Sequence, residues 1–132
     1  MELYLKGKTA VISGASQGLG RAIVKELALE GVKVFATARN EDLLNYLKEE
    51  IAAAGGVEPV TFVQDFVAPD GPQKIAAAAL PALGHVDIIV NNAGRSRALD
   101  VVGAEEDWAA SMTLDFDRHR QLTQQFLPGL IK

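Results

Sequence analysis

Short apolar runs alternate with longer segments of helical periodicity along the whole chain, and this alternation restricts the possible folds more than any other feature. The runs rich in β-branched residues predict four strands, at residues 8–13, 32–38, 58–64 and 86–91. Between and after them, apolar residues at helical spacing predict helices at residues 18–30, 40–55, 70–83 and 104–127. Pro128-Gly129 is expected to end the last helix.

Strands separated by helices of this length form parallel sheets with right-handed crossovers. The predicted strands are almost continuously apolar, which is typical of a sheet covered by helices on both faces. With 132 residues there is room for one domain. The predicted fold class is therefore α/β, a doubly wound parallel sheet in a single domain over residues 1–132.

Composition excludes several classes of function. Seventeen acidic residues outnumber thirteen Lys and Arg, so the net charge is −4, and no basic stripe suggests a nucleic-acid partner. The absence of cysteine excludes disulfides and thiolate sites, and His85 and His119 are too isolated to suggest a metal. No apolar run approaches the roughly 18 residues of a membrane span, and the first residues do not look like a signal peptide. We therefore expect no metal, no membrane partner and a cytoplasmic location.

A glycine-rich loop joins the first predicted strand to the first helix. It reads Ser-Gly-Ala-Ser-Gln-Gly-Leu-Gly over residues 13–20, with glycines at Gly14, Gly18 and Gly20. Such a loop lets backbone N–H groups approach a pyrophosphate, whose charge is favoured at a helix N-terminus. A glycine-rich turn without a ligand is the alternative, and the spacing departs from G-x-G-x-x-G.

Gly-x-x-x-Gly-x-Gly at this position resembles the fingerprint of the classical short-chain dehydrogenase/reductase family. Three further segments agree in order: Asp65-Phe66 after the third strand, residues 91–94 (Asn-Asn-Ala-Gly) after the fourth, and a helix with Trp108 followed by residues 114–132. The resemblance covers the whole chain and corresponds to the N-terminal half of a family member. It implies a Rossmann-like sheet of strand order 3-2-1-4, truncated at four strands.

The resemblance also implies which residues bind a nicotinamide cofactor. Ser16 and Leu19 would lie along the pyrophosphate and ribose, Asp65 and Phe66 would flank the adenine, and residues 92–94 would lie by the cofactor's ribose. The alternatives to cofactor contact are structural roles. Asp65 would then shape a turn, and Asn91 and Asn92 would be buried amides that tie neighbouring strands together. The residues expected to bind the cofactor are Gly14, Ser16, Gln17, Gly18, Leu19, Gly20, Arg39, Asp65, Phe66, Asn92, Ala93 and Gly94.

The end of the second strand bears on the choice between NAD(H) and NADP(H). A carboxylate there binds the ribose 2′-hydroxyl of NAD, whereas an arginine accommodates the 2′-phosphate of NADP. Ala38 stands where NAD-preferring members of the family carry the acid, and Arg39 follows at once. The alternative is a surface arginine paired with Glu41 or Asp42. Gln17 stands where some NADP-preferring relatives have a basic residue, but NADP(H) is still the predicted cofactor.

No catalytic residue is predicted within these 132 residues. The family uses a serine, a Tyr-x-x-x-Lys pair after the fifth strand and a helix asparagine, which aligns with Asp115. Tyr4 and Lys8 have the required spacing but precede the first strand, at the wrong edge of the sheet. Tyr46 is followed four residues on by Glu50, which cannot replace the lysine.

Three functions remain open from the sequence. The first is the cofactor-binding part of an NADP(H)-dependent oxidoreductase acting on a small carbonyl or alcohol. The second is a non-catalytic nucleotide-binding or truncated pseudo-enzyme fragment. The third is a split enzyme completed by another chain. Family members commonly pair through the long helices after strands four and five, so the intact parent is expected to be a homo-oligomer. An apolar edge strand at residues 86–91 predicts that the 132-residue chain self-associates.

Overall fold

The computed structural model describes residues 4–93 and 105–131. Its strands are β1 (Thr9–Ser13), β2 (Lys33–Ala38), β3 (Val60–Val63) and β4 (Ile88–Val90). They form one parallel sheet in the order β3-β2-β1-β4. The predicted fold class and strand order are confirmed, although each strand is one to three residues shorter than the apolar run that predicted it.

Helices cover both faces of this sheet. They are α1 (Gly18–Leu29), α2 (Glu41–Ala53), α3 (Gly71–Leu83), α4 (Glu105–Met112) and α5 (Arg118–Ile131). Because side chains alternate along a strand, β1 and β2 supply residues to two separate cores. One core contains Ile12, Val34 and residues of α1 and α2, and the other contains Val11, Phe35 and residues of α3 and α5. The site-bearing loops are therefore anchored from both sides.

Capping residues explain where two of the helices begin and end. Asn40 accepts a hydrogen bond of 3.0 Å from the Leu43 N–H and so caps the start of α2. Gly31 follows α1 with φ +87°, a conformation that glycine adopts at little cost after a helix. Gly31 therefore marks the end of α1 before β2, and Asn40 marks the beginning of α2 after β2.

The long C-terminal helix differs from its prediction in two ways. Residues Thr113–Asp117 form a π-helical turn between α4 and α5. The expectation that Pro128-Gly129 ends the helix is wrong, because α5 continues to Ile131. Pro128 lies in the last turn, where it removes only one backbone donor, and buried Leu122 and Phe126 hold the helix against α3.

Among the residues described, no helix combines the length and the apolar composition needed to cross a membrane.

Candidate cofactor site

A cleft of about 1050 Å³ opens at the edge of the sheet where all four strands end. This is the edge at which open parallel sheets bind ligands. Its walls include nine of the residues predicted to bind a cofactor: Gly14, Ser16, Gln17, Leu19, Arg39, Asp65, Phe66, Asn92 and Ala93. Gly18 and Gly20 lie in the first turn of α1 but not in the wall, and Gly94 lies outside the described residues.

The three glycines of the loop have different structural roles. A Cβ on Gly20 would stand 2.2 Å from the Gly14 carbonyl oxygen, and one on Gly14 would stand 2.9 Å from the Ala93 Cα. Both glycines therefore allow close contact of the loop with its surroundings. Gly18 has φ +60° and nothing within 4 Å of its Cβ position, so it keeps the space above the loop open.

The N-terminus of α1 faces the cleft without a competing anion. The side chain of Gln17 makes no capping hydrogen bond, and the first turn of α1 contains no acidic residue. The first N–H groups of a helix carry partial positive charge and lack partners within the helix. This end of α1 is therefore suited to a phosphate group.

Ser13 ties the loop after β4 to the end of β1. Its Oγ accepts hydrogen bonds from the backbone N–H groups of Asn92 (3.2 Å) and Ala93 (3.1 Å). The Asn92 side-chain amide donates to the Gly14 carbonyl at 3.1 Å, so it links the two loops, much as the structural alternative anticipated. Asn91 is not the buried, strand-linking amide considered as an alternative. It is exposed, and its side-chain amide donates to Thr123 of α5.

Arg39 lines the cleft directly after β2. No hydrogen bond or ion pair links it to a residue in the described ranges, so the expected alternative pairing with Glu41 or Asp42 is not observed. Thr37, which also lines the cleft, has a buried Oγ1 without a partner among the described residues. An unpaired buried hydroxyl in the wall of a cleft is consistent with a polar ligand.

Asp65 and Phe66 form the wall after β3. The Asp65 Oδ1 accepts the Val67 N–H at 3.0 Å, so this carboxylate has the turn role considered as an alternative while also lining the cleft. Phe66 is largely buried, and its ring centroid lies 4.8 Å from that of His119. The wall is thus held from behind by α5.

Several residues of the cleft were not predicted from sequence: Ser13, Thr37, Leu43, Gln64, Val67 and Leu114. Most of them adjoin predicted site residues. They could have been identified from the sequence because they lie at or just after the predicted ends of β1 to β3, where ligands bind. Leu114 has no such signal, because the π-helical turn brings it to the cleft from a distant part of the chain. Asp115, the next residue, is exposed and is not part of the wall.

The other chemical candidates lie away from the cleft. Tyr4 and Lys8 precede β1, at the opposite edge of the sheet, and Tyr46 is exposed on α2. Within residues 4–93 and 105–131, no group of three His, Cys, Asp or Glu side chains could hold a metal ion. The cleft is the best-supported site in the described part of the chain.

The residues present fit a nicotinamide dinucleotide. The open space above Gly18 and the uncapped end of α1 suit a pyrophosphate, and Arg39 and the buried Thr37 hydroxyl supply polar groups beyond it. The cleft volume of about 1050 Å³ is slightly above the range of about 300–1,000 Å³ typical of ligand sites.

Comparison with known proteins identifies the family of the chain. The family model for short chain dehydrogenases matches residues 8–132. The chain belongs to the short chain dehydrogenase family. A short chain dehydrogenase of Pseudocercospora fijiensis is 37% identical over 131 residues, which are 97% of this chain and 42% of that protein.

Two solved structures are closely similar to this chain in fold. L-sorbose reductase from Gluconobacter frateurii, complexed with NADPH and L-sorbose, has a TM-score of 0.92 and 30% identity, covering 98% of this chain and 50% of that one. A 7α-hydroxysteroid dehydrogenase complexed with NADH and 7-oxo glycochenodeoxycholic acid has a TM-score of 0.89 and 30% identity, covering 95% and 49%. This chain thus spans about half the length of the relatives it matches.

Proposed function

We propose that residues 1–132 form an NAD(P)-binding domain that holds NADP(H) in the cleft. The parent activity would be an oxidoreductase reaction in which hydride passes between NADP(H) and a small carbonyl or alcohol. The observation that carries the choice of cofactor is Arg39, which lines the cleft directly after Ala38 and has no partner among the described residues.

The proposed binding begins at the glycine loop. The pyrophosphate would lie over Gly18, within reach of the first N–H groups of α1 and beside Ser16 and Leu19. The fixed dipole of the helix favours the negative charge, and the open space at Gly18 admits the phosphates. Gly14 and Gly20 contribute indirectly, since they allow the loop to lie close to Asn92.

The second part of the proposal concerns the adenosine end. A guanidinium provides several N–H donors and a permanent charge, which match a 2′-phosphate better than a hydroxyl. Without a carboxylate at Ala38, nothing at this position repels a phosphate or binds the 2′-hydroxyl of NAD. The two solved relatives hold different cofactors, NADPH and NADH, so family membership alone does not make this choice.

When bound, the nicotinamide ring would supply the hydride that the reaction transfers. The chain's own residues would bind and orient the cofactor: Asp65 and Phe66 at the adenine, Asn92 and Ala93 at the ribose. Asp65 contributes mainly by shaping the turn, because its Oδ1 is occupied by the Val67 N–H. No proton transfer is assigned to a residue of the described cleft.

The proposal is tested by titrating NADPH and NADH against the 132-residue chain and following cofactor fluorescence. We expect weak but saturable NADPH binding and weaker NADH binding. Arg39→Ala should weaken NADPH binding by roughly 10- to 100-fold, as expected for a lost charge-assisted contact of about 1.5–3 kcal/mol, and leave NADH binding unchanged.

Arg120→Ala is the matched control, because Arg120 lies on the exposed side of α5 and its contact is with Gln124 of the same helix. It removes the same charge from the molecule but should not change either affinity. Equal affinity for the two cofactors in the wild type, or an Arg39→Ala variant that binds NADPH normally, would contradict the assignment of NADP(H).

A further inference from the structure

The start of α5 contacts both loops that form the far wall of the cleft. The Nε of Arg118 donates a hydrogen bond of 2.9 Å to the carbonyl of Val67, in the loop after β3. The Nε2 of His119 is hydrogen-bonded to the carbonyl of Ala93, in the loop after β4. Adjacent residues of one helix therefore hold two loops that are separated by more than twenty residues in sequence.

The hydrogen bond to Ala93 determines the tautomer of His119. A carbonyl oxygen only accepts, so Nε2 must carry the hydrogen. Nδ1 is buried and has no partner among the described residues. The geometry therefore assigns the donor role to Nε2.

Packing holds the imidazole in this orientation. The ring of Phe66 lies against it with a centroid distance of 4.8 Å and an interplanar angle of 47°. Phe66 itself lines the cleft after β3. The imidazole thus contacts both loops, one through its ring and the other through its Nε2–H.

Neighbouring residues of α5 support this position. Gln121 Oε1 accepts a hydrogen bond of 2.9 Å from Arg118, and Thr123 accepts one of 3.2 Å from Asn91. The buried Leu122 fixes the helix in the core. The π-helical turn Thr113–Asp117 ends immediately before Arg118 and thereby sets which side chains of α5 face the loops.

We propose that Arg118 and His119 are positioning residues for cofactor binding, which set the separation of the Val67 and Ala93 loops and so the width of the cleft. The inference rests on the proposed function, because it assumes that the ligand of the cleft is NADPH. Neither side chain is among the residues of the cleft wall. Both act through backbone carbonyls of residues that are.

The decisive comparison is between His119→Phe and His119→Gln. Phenylalanine keeps an aromatic ring against Phe66 but cannot donate to Ala93, whereas glutamine supplies an amide N–H near the position of Nε2. We expect His119→Phe to weaken NADPH binding about fivefold, the effect of one lost hydrogen bond, and His119→Gln to restore it to within about twofold of wild type.

Arg118→Met tests the second contact and should also weaken NADPH binding by a few fold. Arg120→Met is the matched control: it removes the neighbouring, exposed arginine and should leave the affinity unchanged. Thermal midpoints of the ligand-free variants separate a loss of affinity from a loss of folding. A merely structural role for His119 would lower the midpoint of the glutamine and phenylalanine variants alike.

The imidazole itself provides a readout that does not need a ligand. In ¹⁵N-labelled protein, the His119 ring should show its hydrogen on Nε2. The Nδ1–H tautomer, normal NADPH binding by His119→Phe, or equal weakening in the glutamine and phenylalanine variants would each overturn the proposal. If the wild type fails to bind NADPH, the proposed function is wrong, and the ¹⁵N spectrum then decides whether the contact to Ala93 exists.

Discussion

At the scale of single residues, the backbone conformation of Gly18 matters as much as the side chains around the cleft. Its φ of +60° disfavours any residue with a Cβ, and the space where that Cβ would stand is open. A larger residue here would combine local strain with obstruction of the space proposed for the pyrophosphate. The two effects are separable, because the chain contains a second glycine with the same strain.

Gly18→Val should abolish measurable NADPH binding, since the valine side chain would occupy the space above the loop. Gly55→Val is the matched control: Gly55 has φ +83°, also has nothing within 4 Å of its Cβ position, and follows α2 away from the cleft. Both variants should lower the thermal midpoint through a strain of about 1–2 kcal/mol, and only Gly18→Val should lose binding in a fluorescence titration. If both variants lost NADPH binding, backbone strain alone would explain the effect, and the steric role of Gly18 would be contradicted.

At the scale of elements, the carboxylate of Asp87 connects the starts of β1 and β4. Its Oδ2 accepts the backbone N–H of Thr9 at 2.9 Å, and His85 lies 3.1 Å from its Oδ1. The hydrogen bond from Thr9, helped by the positive charge that His85 can carry, holds the pKa of Asp87 below its ordinary value of 3.8. The ionised form therefore stabilises the folded state.

This lowered pKa predicts how stability depends on pH. A carboxylate whose folded pKa is depressed stabilises the protein above its unfolded pKa, and the contribution is lost as the pH falls through the folded value. Asp87→Asn should therefore lower the thermal midpoint at neutral pH and reduce the loss of stability on acidification below about pH 4. Thermal melts across this range test it, with the exposed Glu26→Gln as control for the loss of one carboxylate. An unchanged acid limb in Asp87→Asn would contradict the prediction.

Element order could be predicted because it depends on local patterns, whereas the strand order was implied by the family resemblance. Apolar runs, helical spacing, the cap at Asn40 and the glycine after α1 each act over a few neighbouring residues. The continuation of α5 past Pro128 could not be predicted in this way, because packing of Leu122 and Phe126 against α3 outweighs a local helix-breaking signal.

The same division applies to the candidate site. The glycine loop, Arg39 and Asp65 follow predicted strands, so parallel topology alone brings them to one edge. Leu114 and His119 reach the cleft wall or its support only through a π-helical turn and the packing of α5. Such contacts depend on the tertiary arrangement, and no local pattern in residues 113–119 indicated them.

At the scale of the whole molecule, the described sheet has two edges that are not equally protected. β3 is preceded by Pro59, which cannot donate a backbone hydrogen bond. β4 pairs with β1 on one side, and no described strand pairs with its other side. Ile88, Ile89 and Val90 are half-buried, so β4 presents an apolar edge with open backbone groups.

We therefore predict that the 132-residue chain self-associates through β4. Ile89→Lys should shift the chain towards monomer, because a charged side chain disfavours pairing at an exposed edge. Val63→Lys is the matched control at the β3 edge, where Val63 is 47% exposed, and it should leave association unchanged. Sedimentation over a range of protein concentrations measures the association, and circular dichroism checks that each variant keeps its helices. A wild-type chain that stays monomeric at high concentration, or dissociation by Val63→Lys instead of Ile89→Lys, would show that β4 is not the associating edge.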